Sequence, residues 1–121
     1  MDAKSISLVL DCREPQALAK FWAPAIGYVE VGSVENYTLL VAENDAGPRL
    51  LLQRVPEDKI AKNRMHLDLH VRDIEAEAAR LVDLGARRVD AEQHSEHGHA
   101  WVLMEDPEGN EFCVCDAVDE M

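Results

Sequence analysis

His66, Asp68 and His70 stand at alternate positions of the stretch HLDLHV, and their types are those of acid–base chemistry. A histidine changes charge near neutral pH, and a neighbouring carboxylate can orient its ring, so such a pair can act as a general base. Near the end of the chain, EFCVCD places Glu111, Cys113 and Cys115 at the same spacing. Imidazole and thiolate together attract zinc, and a Cys–His pair can be nucleophilic. Plainer readings stand beside these. A cysteine in a strand is more often a small apolar filler, and a strand can put its polar residues in open water. Lining a binding cleft is the reading favoured for His66, Asp68 and His70.

Period-two alternation makes MHLDLHV a strand, with Leu67, Leu69 and Val71 on one face and the three polar residues on the other. The helix DIEAEAARLVDLG follows, with Asp73 as N-cap and Gly85 just past its end. ARRVDAE reads as a strand, and AWVLME and NEFCVCD as a hairpin around DPEG. The first half has the same order. ISLVLDC is a strand and EPQALAKFWAPAIG a helix, with Pro15 in its first turn and Pro24 and Gly27 marking its end. YVEVGS is a short strand, and NYTLLVA and PRLLLQRV form a hairpin around ENDAG. Glu14 matches Asp73, Gly27 matches Gly85, and Gly47 matches Gly109. Two βαβββ units, residues 5–55 and 65–116, each too small to bury its own core, are expected to pack as one α+β domain over 1–121.

At 121 residues and 47% hydrophobic, the chain has the size of one domain with a real core. A net charge of -12 argues against nucleic acid and anionic membrane surfaces as partners. No apolar run approaches a membrane span, and MDAKSISLVL lacks the pattern of a signal peptide. Cys12, Cys113 and Cys115 are an odd set without a CxxC pair, which points to free thiols in a reducing cytoplasm.

The repeated unit, LDCREPQALAKFWAPAIGY and DPEGNEFCVCD resemble the vicinal oxygen chelate superfamily, and its glyoxalase-like subgroup most of all. That superfamily includes glyoxalase I, extradiol dioxygenases, and bleomycin- and fosfomycin-resistance proteins. The resemblance implies tandem βαβββ units forming a half-open barrel around a central cleft, with the strand faces opposite the helices lining it. It also implies metal ligands early in the first strand and in the last strand of each unit. Counting from the helix starts and turn glycines, those positions fall on Ser7, Leu51, His66 and Cys113. Leucine gives no donor and a serine hydroxyl is a feeble one, so no metal or other cofactor is expected. Asp68, Asp11 or Glu111 could rescue a site only at a displaced position, two residues from the implied ligands.

Other residues carry weaker signals. His94, His97 and His99 in HSEHGHAW can bind metal as a histidine-rich tract. A solvated hairpin turn is the favoured reading, with a lid-like contact to ligand as the remainder. Gln53 and Arg49 could orient a polar ligand, while Phe21 and Trp22 belong to the core. Trp101 and Tyr37 serve equally as pocket walls or as packing. The expected function is small-molecule binding by a cytoplasmic, homodimeric glyoxalase/bleomycin-resistance-like protein. His66 is its candidate catalytic residue, and Ser7, Gln53, Asp68, His70, Trp101 and Cys113 are its ligand contacts. The alternatives are a metal-dependent lyase or dioxygenase of the glyoxalase I type, and a scaffold whose cleft is plugged by side chains.

Overall fold

The structure is a computed structural model describing residues 5–117. Among the described residues are two helices and nine strands, the strands in two mixed sheets, and the chain divides into two compact units between Lys59 and Ile60. The sheets are not closed into a barrel.

In the first unit, β1 (Ser7–Cys12), α1 (Pro15–Ile26), β2 (Tyr28–Val34), β3 (Tyr37–Ala42) and β4 (Arg49–Arg54) follow in order. The sheet order is β1-β4-β3-β2, with β1 parallel to β4 and the remaining pairs antiparallel. Pro15 opens α1, where a missing N–H leaves nothing unpaired. Gly27 ends it at φ 70°, its N–H bonded to the Ala23 carbonyl, and Pro24 lies within the last turn rather than at the stop. The apolar stripe of α1, Leu18, Phe21 and Trp22, is buried against the sheet that supplies Leu40, Leu50 and Leu52. Phe21 and Trp22 meet edge to face at 5.0 Å and confirm their place in the core.

The second unit runs β5 (Leu67–Val71), α2 (Ile74–Leu84), β6 (Arg87–Arg88), β7 (His94–Glu96), β8 (His99–Glu105) and β9 (Glu111–Asp116). Its order is β5-β9-β8-β6, with β7 added on β8. Asp73 caps α2 by accepting the Ala76 N–H, and Gly85 closes it at φ 122°. Ile74, Ala78 and Leu81 of α2 are buried, as are Val102, Met104, Phe112 and Val114 of the strands it packs on.

The DPEG turn is held from inside. The Asp106 carboxylate accepts from the Glu108 and Asn110 backbone N–H groups and from the Asn110 amide, and both side chains are buried.

Both helices stand where the sequence puts them, but the stretch between α2 and Trp101 differs. Only Arg87 and Arg88 of ARRVDAE pair as a strand. The Arg88 guanidinium turns back on its own chain, donating to the Asp90 and Ala91 carbonyls and to Glu75 of α2. Those carbonyls are satisfied by a side chain instead of a ladder, so the chain leaves the sheet. It returns as β7, where HSEHGHAW keeps the exposed hairpin turn expected of it. It is a hairpin turning at His97 and Gly98, with His94 paired to Trp101.

Candidate functional site

Strand register assembles the site. Across the second sheet, Asp68 faces Cys113, which faces Leu103. One row along, His70, Cys115, Trp101 and His94 follow one another across four strands. Alternation sends these side chains away from α2, because Phe112, Val114, Val102 and Met104 between them are buried on its side. The result is a cavity of about 630 Å³ whose described lining residues belong to the second unit. That volume lies within the range of small-molecule sites.

Asp68, His70, Trp101 and Cys113 all line the cavity, as does His66, which sits just before β5 rather than within it. Ser7 and Gln53 stand elsewhere, on the first sheet. Ser7 pairs with Arg49, and Gln53 lies in register between Asp11 and Tyr37. Glu111 is engaged by the connector: its carboxylate accepts the Asn63 backbone N–H and its carbonyl the Asn63 amide. Arg49 bonds Asp45 at the hairpin end.

Lys62, Asp90, His94, His99, Ala100, Leu103, Cys115 and Asp116 complete the lining beyond the expected ligand contacts. Leu103 was open to inference, being two residues from Trp101 on a strand facing NEFCVCD. Asp90 and Asp116 carried no local signal.

Three of the histidines lining the cavity stand beside carboxylates. His66 Nε2 lies 3.2 Å from Asp68, and His99 Nδ1 3.6 Å from Asp116. His94 Nε2 donates to Asp90 at 2.7 Å, and its ring stacks on Trp101 at 5.6 Å and 25°. His70 differs, because its Nδ1 lies 3.0 Å from the Asp116 carbonyl, which can only accept. Nδ1 therefore carries a proton, leaving Nε2 as the acceptor when the ring is neutral.

The two thiols are held protonated. Burial, then the negative charge of Asp68, pushes Cys113 up to about 11 and Cys115 up to about 12. At neutral pH they form an apolar floor, and a thiolate nucleophile is disfavoured.

A family profile for the glyoxalase-like domain matches residues 7–115. The chain belongs to the glyoxalase-like domain family. Solved structures of the glyoxalase/bleomycin resistance/dioxygenase superfamily share the fold. One is a family enzyme from Burkholderia phytofirmans, with TM-score 0.77, 13% identity, and 93% of this chain and 97% of that chain covered. Another is a glyoxalase-related enzyme from Fulvimarina pelagi, with TM-score 0.71, 17% identity, and 94% and 88% covered. A third is the fosfomycin resistance protein FosX of Listeria monocytogenes in complex with manganese(II) and a dihydroxypropylphosphonic acid, with TM-score 0.78, 10% identity, and 98% and 93% covered. No curated protein matches the chain.

The donor set of the glyoxalase-like chain is a poor match for a hard, oxygen-seeking ion of that kind. His66, Asp68 and Cys113 bring ligand atoms within 4.8 Å of one another. One of the three is a thiol, a soft donor that binds only after losing its proton. Only one carboxylate remains for an ion that prefers oxygen.

Proposed function

We propose that this glyoxalase-like protein binds a small organic molecule in the second-unit pocket and needs no metal to do so. The cavity carries the reading: about 630 Å³ with an apolar floor of Cys113, Cys115 and Leu103 and a rim of histidine–carboxylate pairs. Trp101 and the stacked His94 offer a flat wall. His66, beside Asp68, serves as hydrogen-bond partner or proton acceptor for the ligand, and His70 Nε2 is the second acceptor. The three cysteines are free, which supports a reducing, cytoplasmic setting. Among the described residues no helix is long and apolar enough to cross a membrane.

A metabolite library screened by thermal shift tests the proposal. A ligand at 100 times its dissociation constant adds about 2.7 kcal/mol of stability. His66→Ala should weaken that response at least fivefold in affinity, and an unchanged response would remove His66 from the site.

The convergence of His66, Asp68 and Cys113 supports a second reading, a metal-dependent lyase or dioxygenase. Metal analysis of untagged, dialysed protein separates the two, since stoichiometric retained metal favours the second.

A further inference from the structure

Each of the three aspartates lining the pocket sits beside a different histidine: Asp68 by His66, Asp90 by His94 and Asp116 by His99. They come from β5, from the loop ahead of β7 and from the end of β9, so carboxylates approach the cavity from three directions. Among the described residues, Lys62, in the connector, is the one ammonium in the lining, so three carboxylates oppose one ammonium. Beneath them lie two neutral thiols, Leu103 and the face of Trp101.

We propose that the ligand is a small organic cation, an amine or amidinium carried on a flat apolar body. The inference rests on the pocket being a binding site and goes further by naming the ligand's class. The flat body suits the Trp101 wall and the thiol floor, and the Trp101 ring face itself attracts a cation. The cationic head finds its counter-charge in the carboxylates of the rim. An anion would meet those same carboxylates, within a chain of net charge -12.

The test uses three probes that share one ring and differ in charge: phenethylamine, 2-phenylethanol and phenylacetate. Each is titrated into the full-length protein at low salt and about pH 8. The readout is the Trp101 indole N–H signal by NMR, with the buried Trp22 as internal control. Phenethylamine should bind about fivefold more tightly than the alcohol, as one or two partly exposed ion pairs allow, and more tightly still than phenylacetate. In an Asp68→Asn/Asp90→Asn variant that preference should fall to about twofold or less. If the alcohol or phenylacetate binds at Trp101 as tightly as the amine, the ligand class is wrong while the pocket stands. A preference that persists undiminished in the double variant overturns the class as well. If no probe moves Trp101, both the class and the pocket reading fall.

Discussion

At the scale of single residues, the alternation in HLDLHV already states which side chains share a face, and the structure keeps that arrangement. The part that could not be read is who meets them. Asp90, Asp116 and Lys62 reach the pocket through long-range placement, and nothing in their own neighbourhood distinguishes them from other surface charges. The thiols show how burial decides chemistry. Cys113 and Cys115 are raised from 9.0 to about 11 and about 12, so the folded state holds their protons more tightly than the unfolded chain does. The stability that follows is fully present below about pH 9 and is lost as pH rises towards 11–12. Urea unfolding between pH 8 and 11 should show this decline, and a Cys113→Ala/Cys115→Ala variant should show a flatter one. Equal slopes would mean that the thiols titrate alike in both states. Iodoacetamide should also label both cysteines slowly at pH 7, since the thiolate is the reactive form.

At the scale of elements, capping explains what was legible. Pro15 and Gly27 bracket α1, and Asp73 and Gly85 bracket α2, so local chemistry alone sets both helices. The stretch from Val89 to Gln93 was not legible, because a side chain from β6 sets its course. Arg88 ties two of its carbonyls to Glu75 of α2, and Gln93 donates to the same carboxylate. These bonds from Arg88 first, then from Gln93, hold the Glu75 carboxyl down at about 2. A depressed carboxyl stabilises above its ordinary value and loses that contribution as pH falls from 4.5 towards about 2. Amide protection over residues 89–96, taken relative to the intrinsic exchange rate at each pH, should therefore fall through that window, and Glu75→Gln should already lower it at neutral pH. No change on substitution would show that the clamp does not order the segment leading to His94. The DPEG turn has a different dependence. Asp106→Ala leaves the Asn110 amide and backbone N–H groups without their buried acceptor, which should cost about 2–3 kcal/mol in urea unfolding. A loss below about 0.5 kcal/mol would place water, rather than the carboxylate, in that role.

At the scale of the whole molecule, the repeated order of strand, helix and then strands is visible in the sequence because each unit carries its own start and stop residues, and β7 is the strand that the second unit adds. The register of the units agrees as well: Val9 faces Leu51 in the first sheet as Asp68 faces Cys113 in the second. The same comparison explains the unequal chemistry, since equivalent positions are apolar in one unit and polar in the other. Val29, Val31 and Val34 lie exposed on β2, an edge strand of the first sheet. Exposed apolar edges invite pairing, and two chains are expected to associate. Light scattering should give twice the 13.5 kDa chain mass; a monomer at high concentration would contradict it.

The central claim is that the second-unit pocket binds an organic ligand without a metal. The most direct measurement is a thermal-shift screen of chelator-treated protein against a metabolite library, repeated with His66→Ala. The account predicts at least one stabilising compound whose effect survives chelation and drops in the variant. Stabilisation that appears only when a divalent metal is restored, or that ignores the His66 substitution, would contradict it.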